Sequence, residues 1–254
     1  MPDHSHRRLP PPQSLVLASM ARAGHHAVAN WIAMQFPGPI RMLHFCDKHG
    51  RPLRRRGVKL HKNGFRNLSN AESSISQLRC TENLKPCRDG DCANECHIAS
   101  ADKIIIVLRD PYNWLASSLK QNRDVTLDCG DGTIIDTYGW LLEQAVGTKN
   151  YFPGVPCLGV DYNRWFASAD YRRDLADTLD LRKPFTDAGI NRVSHRGRAS
   201  SFDGMRFQDC AQKMDVLNRW KHYQDDPEFW AMIPNWIDSL ARSYFTVGMP
   251  ERSR

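Results

Sequence analysis

The stretch KIIIVLRDPYNWLASS, residues 103–118, decides the fold of this chain. Its first part, Lys103 to Leu108, is a continuous β-branched run of the kind that forms a central parallel strand covered on both faces. Its second part begins a helix, because Pro111 suits the first helical turn and Asp110 suits the N-cap before it. The stretch therefore predicts a buried strand that turns tightly into a helix.

A similar unit lies near the start of the chain. The apolar run Ser14 to Ala18 predicts a buried strand, and Val28, Ile32 and Phe36 follow it at helical spacing until Pro37 ends the helix. Further strands are predicted at residues 57–61 and 155–162, and further helices at 134–146, at 169–179 and across the C-terminal third. This alternation predicts a three-layer α/β domain with a mostly parallel central sheet.

Composition excludes several classes of protein. The 254 residues are 41% hydrophobic and 25% charged, which excludes a disordered chain, a collagen-like repeat and a small disulfide scaffold. The net charge of +7 favours anionic partners such as phosphates, sulfated sugars, nucleic acid or a membrane surface. No stretch has the composition of a membrane span, and the N-terminus lacks the apolar core of a signal peptide, so a cytoplasmic location is expected.

One domain, residues 14–254, is predicted after a disordered tail at residues 1–13. Residues 62–102 have no strong hydrophobic period and are predicted to form an irregular, Cys-rich insertion, with one helical turn at 71–78. Four thiolates there could hold one structural zinc ion, although the paired C-x2-C knuckles of common zinc folds are absent. Free thiols and disulfides stay open as alternatives for these residues, which are Cys80, Cys87, Cys92 and Cys96.

Two basic segments follow predicted strands, at the edge of an α/β sheet where ligands bind. In MARAGHHA, residues 20–27, Gly24 lets the backbone approach an anion closely and Arg22 adds a forked cation. In the second segment, Ser117 lies eight residues after Arg109, so a phosphate above this helix could contact both. An ordinary turn, and an arginine paired with the next aspartate, are the structural alternatives. No GxxxxGK[ST] occurs, which disfavours a P-loop kinase or magnesium-dependent triphosphatase.

Together the two segments resemble the sulfotransferases that use 3′-phosphoadenosine 5′-phosphosulfate, which have a P-loop-NTPase-like fold. In that family a loop of the type Pro-Lys/Arg-Ser-Gly-Thr-Thr binds the 5′-phosphosulfate, and an arginine with a serine eight residues later binds the 3′-phosphate. Here residues 21–26 stand in the first place, with His25 and His26 replacing the hydroxyl pair, and Arg109 and Ser117 stand in the second. The resemblance spans roughly residues 14–245.

Three weaker matches follow in the same order as in the family, and a further stretch is also similar to it. Val58 to His61 is similar to a Lys-Thr-His segment whose histidine is a general base, and Leu158 to Asn163 is similar to a strand end whose tyrosine approaches the adenine. His195 to Gly197, followed by Ser200 to Asp203, resembles an Arg-Lys-Gly loop that closes over the 3′-phosphate. Arg219 to Lys221 resembles a stretch common in the family's C-terminal helices.

The resemblance implies an enzyme that moves a sulfuryl group to a hydroxyl or amine by in-line displacement, with a general base and no metal. Arg22 would be catalytic and His61 the first choice of base, with His25, His26 and Glu72 as rivals. The acceptor stays open among a sugar hydroxyl, a peptide, a lipid headgroup and a small alcohol, and the basic charge leans towards an anionic glycan. The implied co-substrate-binding residues are Arg22, Ala23, Gly24, His25, His26, Arg109, Ser117, Tyr162, Arg196 and Gly197.

The alternative function is a basic, zinc-bearing nucleic-acid-binding protein. It is supported by the net charge, by the basic connector RPLRRR at residues 51–56 and by the Cys cluster. It leaves the spacing between Arg109 and Ser117 unexplained. In the preferred interpretation the protein binds no nucleic acid.

Overall fold

The structure is a computed structural model, and the part of the chain that it describes has gaps. The backbone is described throughout the ranges given at the end of this paragraph, but side chains are not described for residues 40–44, 58–61 and 76–82. The predicted tail at residues 1–13 lies outside the described residues. The described ranges are 14–35, 40–44, 58–61, 76–82, 101–127, 132–181, 185–187, 189–193 and 200–251.

Six strands form one sheet in the order β3-β2-β4-β1-β5-β6. All neighbours run parallel except β2 and β3, which are antiparallel. The predicted mostly parallel sheet is therefore confirmed, with β4 and β1 at its centre and β5 between β1 and the edge strand β6. The strands are β1 Ser14–Ser19, β2 Ile40–His44, β3 Val58–His61, β4 Ser76–Glu82, β5 Lys103–Leu108 and β6 Cys157–Asp161.

Helices cover both faces of this sheet. Alternate residues of a strand point to opposite faces, so Val16 packs in a core with α2, α3 and α7, whereas Leu17 packs in a second core with α1, α4 and α5. This confirms the predicted α/β architecture. The helices are α1 His25–Gln35, α2 Pro111–Leu119, α3 Ile134–Val146, α4 Tyr162–Ala167, α5 Ala169–Thr178, α6 Pro227–Ala231 and α7 Asn235–Tyr244.

The irregular insertion predicted for residues 62–102 is wrong for Ser76–Glu82, which forms β4 in the middle of the sheet. The helical turn predicted over 71–78 is likewise wrong from residue 76 onward. SQLRCTE holds a single β-branched residue, so its own propensity for a strand is weak. β4 is instead stabilised by backbone hydrogen bonds to its two parallel neighbours, β1 and β2.

The C-terminal third is less helical than its composition predicts. Residues 216–223 contain only a short 3-10 turn, Arg219–Tyr223. The apolar stretch at 228–245 is divided into α6 and α7, because Pro234 cannot continue a helix from the residues before it. The short turn matters most for function, since it carries an arginine to the strand ends.

Candidate functional site

The loop after β1 and the turn after β5 lie side by side at one edge of the sheet. The two strands are parallel neighbours, with Ser19 opposite Val107 at their carboxyl ends. The helix that follows β5 contacts the loop that follows β1, because the indole Nε1 of Trp114 donates a hydrogen bond to the carbonyl of Ala21 at 2.9 Å. Both predicted phosphate-binding segments therefore face the same space.

The loop after β1 depends on two residues with left-handed backbone. Arg22 has φ 73° and Gly24 has φ 88°. A Cβ atom on Gly24 would lie 2.3 Å from the ring of Tyr162, so glycine is required by space as well as by conformation. The carbonyl of Gly24 then accepts the N–H of Ala27 at 2.9 Å, and α1 begins. The loop thus delivers the N-terminus of an 11-residue helix to the sheet edge.

The side chain of Arg22 joins this loop to a distant segment. Its Nε donates a hydrogen bond to Oγ of Ser201 at 2.8 Å, and its Nη2 donates to the same oxygen. Ser201 is only 8% exposed, although Arg22 itself is half-buried. The loop at residues 200–204 therefore lies beside the loop after β1.

Two buried arginines converge on Ser117. Arg109 donates from Nη1 to Oγ of Ser117 at 2.9 Å, and Arg219 donates from Nη1 to the same oxygen at 3.1 Å. The Ser117 hydroxyl itself donates a hydrogen bond to the carbonyl oxygen of Asn113 at 2.8 Å. Arg109 is 1% and Arg219 is 6% exposed. Within the described residues, Nε and Nη2 of Arg109 and Nε of Arg219 have no hydrogen-bond acceptor.

Positive charge in this cluster is incompletely balanced. Burial, together with the nearby Arg219, lowers the pKa of Arg109 to about 9, and burial lowers the pKa of Arg219. Asp203 offsets part of this charge, with its carboxylate 3.3 Å from Nη2 of Arg219. Both guanidinium groups stay charged at neutral pH without full solvation, so an anion placed against their open N–H groups would be strongly favoured.

Asp110 does not form the simple ion pair that was the structural alternative for Arg109. Among the described residues no salt bridge joins the two. The carboxylate of Asp110 caps α2 instead, and it accepts from the backbone and side-chain amides of Asn113, each at 2.9 Å, and from Nδ2 of Asn163 at 2.8 Å. Burial raises the pKa of Asp110. The predicted N-cap is confirmed, and Ser117 is fully buried rather than facing solvent.

Asn113 brings Arg219 to the cluster. Its Oδ1 accepts the backbone N–H of Arg219 at 2.7 Å, and its Nδ2 donates to the carbonyl of Leu217 at 2.9 Å. The sequence places Arg219 in a stretch similar to the family's C-terminal helices but gives it no role in binding. Only the tertiary path of the chain shows that this arginine, 102 residues from Ser117, shares its hydroxyl.

Tyr162 lies between the two strand ends. It begins α4 directly after β6, is 5% exposed, and packs against Gly24. The guanidinium carbon of Arg109 lies 5.7 Å from the centre of its ring. Of the predicted residues, the structure therefore brings Arg22, Gly24, Arg109, Ser117 and Tyr162 to one place. Contact of Tyr162 with an adenine stays a prediction.

The other residues predicted in the first segment belong to the same loop. Ala23 is fully buried, and His25 and His26 are the first two residues of α1. His25 is 2% exposed and His26 is half-buried, with ring centres 4.0 Å apart. Arg196 and Gly197, predicted to close over the 3′-phosphate, lie outside the described residues.

His61 is not brought to this site. Because β3 runs antiparallel to β2, His61 pairs with Ile40 at the start of that strand, on the edge of the sheet where β1 begins rather than ends. Three strand spacings and a strand length separate it from the end of β1, a distance of roughly 25 Å. The choice of His61 as general base is therefore wrong, because a strand end marks the ligand-binding edge only for strands that run parallel to β1.

The structure leaves the zinc hypothesis open. Cys80 lies in β4 with its side chain undescribed, and Cys87, Cys92 and Cys96 lie outside the described residues.

Within the part of the chain that is described, no helix combines the length and apolar character needed to cross a membrane. The expected cytoplasmic location stays a prediction.

The sequence was also compared with known proteins. No protein-family model matches the chain. A search of curated proteins gives no significant match either. What points to a function is therefore the geometry at the strand ends, together with the resemblance of the two segments after β1 and β5.

Proposed function

We propose that this protein is a sulfotransferase that uses 3′-phosphoadenosine 5′-phosphosulfate. The observation that carries the proposal is the pair of buried arginines, Arg109 and Arg219, sharing Ser117 beside the loop of Arg22. Two cationic centres that flank one tyrosine suit a ligand with phosphate groups at both ends of an adenosine. The position of the first loop after a central strand also supports a P-loop-NTPase-like fold.

The 3′-phosphate is assigned to the cluster around Ser117. A phosphomonoester carries close to two negative charges at neutral pH, and two guanidinium groups with open N–H donors match that charge. The open donors are Nε and Nη2 of Arg109 and Nε of Arg219. Binding there would remove the cost of keeping two buried like charges together.

The 5′-phosphosulfate is assigned to the loop after β1. Gly24 and the N-terminus of α1 offer backbone N–H groups, and Arg22 adds a cation at the same place. In the transfer step an acceptor oxygen forms a bond to sulfur while the bond from sulfur to the 5′-phosphate oxygen breaks. The leaving oxygen keeps the electron pair, and Arg22 stabilises the charge that grows on it.

The acceptor must lose a proton in this step, and we assign His26 as the candidate base. It is the second residue of α1, directly after the loop assigned to the 5′-phosphosulfate, and its ring nitrogens are buried, as are those of His25. Imidazole titrates near neutral pH, which suits proton removal. Replacement of His26 by alanine should lower the turnover number and leave co-substrate affinity nearly unchanged.

The first experiment incubates the protein with labelled phosphosulfate donor and a panel of sugar, peptide, lipid and alcohol acceptors. The expected result is label on at least one acceptor. In parallel, adenosine 3′,5′-bisphosphate at 100 times its Kd should raise the free energy of unfolding by ~2.7 kcal/mol. ATP should give no such protection, because it carries no 3′-phosphate. Equal protection by ATP, or none by the bisphosphate, contradicts the proposal.

Two matched variants test the assignment of the 3′-phosphate. Arg109→Ala removes a buried arginine from the cluster, and Arg173→Ala removes an exposed arginine that is paired with Asp170 in α5. Loss of charge-assisted hydrogen bonds to a dianion should weaken bisphosphate binding ~100-fold in the first variant and hardly at all in the second. Titration calorimetry measures both. A similar affinity in the two variants would contradict the assignment.

Arg22→Ala tests the other end of the ligand. Because Arg22 is assigned to the charge that develops on the leaving oxygen, the variant should lower the turnover number more than it lowers bisphosphate affinity. A turnover number like that of the parent would show that Arg22 does not act in the transfer step.

The nucleic-acid alternative rests mainly on residues 51–56 and 87–96, which lie outside the described residues, so it stays a prediction.

A further inference from the structure

The loop at residues 200–204 is a closed turn that contacts both Arg22 and Arg219. Ser200 and Gly204 exchange backbone hydrogen bonds of 3.2 and 3.1 Å. Inside the turn, Oγ of Ser200 accepts the N–H of Asp203 at 3.1 Å and donates to its Oδ2 at 2.8 Å. These local bonds give the turn a fixed shape before any ligand arrives.

Two consecutive serines of this turn contact two different arginines. Oγ of Ser200 accepts Nη2 of Arg219 at 2.8 Å, and Oγ of Ser201 accepts Nε of Arg22 at 2.8 Å. The next residue, Phe202, packs 5.1 Å from the guanidinium carbon of Arg219. Adjacent residues in one chain are 3.8 Å apart at Cα, so the turn fixes how far apart the two guanidinium groups lie.

The hydroxyl protons of the two serines are used differently. The proton of Ser200 is donated to Asp203. Ser201 accepts from Nε and Nη2 of Arg22, and among the described residues no acceptor is found for its own proton. Since both N–H groups of Arg22 approach the lone pairs, that proton must point away from the guanidinium. Ser201 is only 8% exposed, so its hydroxyl is largely shielded from solvent beside the loop after β1.

We propose that Ser200 and Ser201 serve opposite ends of one bisphosphate ligand. Ser200 is a positioning residue that holds Arg219 against Ser117 for the 3′-phosphate. Ser201 holds Arg22 and donates its free hydroxyl proton to an oxygen at the 5′ end. The inference rests on the proposed function, and it adds that the chain selects a ligand charged at both ends through a two-residue connection between its arginines.

Three ligands separate the two ends. Titration calorimetry with adenosine 3′,5′-bisphosphate, 3′-AMP and 5′-AMP is run on the parent protein, Ser200→Ala and Ser201→Ala. Ser201→Ala should weaken 5′-AMP and the bisphosphate ~10-fold and leave 3′-AMP unchanged, because a hydrogen bond to a charged group is lost at one end only. Ser200→Ala should show the opposite split between the two monophosphates.

Ser201→Thr is the conservative control, since it keeps the hydroxyl group and should keep the affinity for 5′-AMP. If both alanine variants weaken all three ligands equally, the turn is merely structural and the inference fails. If neither variant changes any affinity, it fails as well. If the parent binds the bisphosphate but the two alanine variants show no such split, the inference alone is overturned. A parent that binds none of the three ligands overturns the proposed function with it.

Discussion

The ends of β1 and β5 lie next to each other but are built differently. The end of β1 is a site made by backbone, with two left-handed residues that turn the chain so that α1 begins at the sheet edge. The end of β5 is a site made by side chains, in which Arg109 and Ser117 are buried within a network of amides and a second arginine. The β1 end tolerates few changes of backbone conformation. The β5 end is destabilised by the desolvation of its buried arginines.

The largest effect should come from Gly24, where backbone and space act together. Gly24→Ala adds a Cβ 2.3 Å from the ring of Tyr162 at φ 88°, whereas Gly147→Ala, at φ 84°, adds one with no atom within 4 Å. Gly147→Ala should lower the free energy of unfolding by ~1 kcal/mol through backbone strain alone. Gly24→Ala should lower it by ~3 kcal/mol, because the ring must also move.

Urea unfolding of the two alanine variants measures this difference. A large difference would confirm that the β1 end is fixed by close packing against Tyr162, at the start of α4, as well as by its turn. Equal losses in the two variants would mean that the ring of Tyr162 moves freely, and the β1 loop would then depend on backbone conformation alone.

The second prediction concerns the cost of charge at the β5 end. Arg109→Met removes a buried guanidinium whose Nε and Nη2 have no acceptor among the described residues, and it keeps an unbranched side chain of similar length. The ligand-free protein should become more stable by ~1–2 kcal/mol, because replacing buried charge by apolar atoms removes its desolvation cost. Binding of the bisphosphate should be lost in the same variant.

Thermal unfolding and calorimetry on one preparation test this trade-off. An arginine that served only the fold would lower stability when removed. A less stable Arg109→Met variant would therefore mean that the β5 end is a structural network rather than a site held ready for an anion.

The smallest effect is expected from the strain at Arg22. Both Arg22→Gly and Arg22→Ala remove the side chain, but only glycine adopts φ 73° without cost. The glycine variant should be more stable than the alanine variant by ~1 kcal/mol. In Arg173, within α5, the same pair should show the reverse order, since glycine weakens a helix interior. Chemical denaturation of all four variants gives the comparison.

The parts of the fold that the sequence predicts correctly are those with strong local patterns. The run at Lys103–Leu108 and the N-cap and proline after it specify β5 and the start of α2 within single residues. The helix predicted at 134–146 has the bounds of α3, Ile134–Val146. In each case the hydrophobic period and the capping residues favour the same element, and the tertiary structure keeps that local preference.

The elements that sequence reasoning missed depend on distant partners. β4 has weak strand propensity and is held by β1 and β2, and the direction of β3 is set by its pairing rather than by its residues. The same limit applies at the site. The spacing from Arg109 to Ser117 predicts that one phosphate can contact both residues. It does not predict the third member, Arg219, which is held there by hydrogen bonds to Asn113, a residue distant from it in sequence.

The position of β4 between β2 and β1 also governs how this chain can fold during synthesis. When the ribosome has made only β1 to β3, the two strands that flank the future β4 cannot yet join, so the growing sheet has an open slot. β1 gains its neighbours only after residues 82 and 108 have emerged. Until then neither edge of β1 can pair within the sheet, so its place in the fold depends on contacts that are distant in sequence and slow to form.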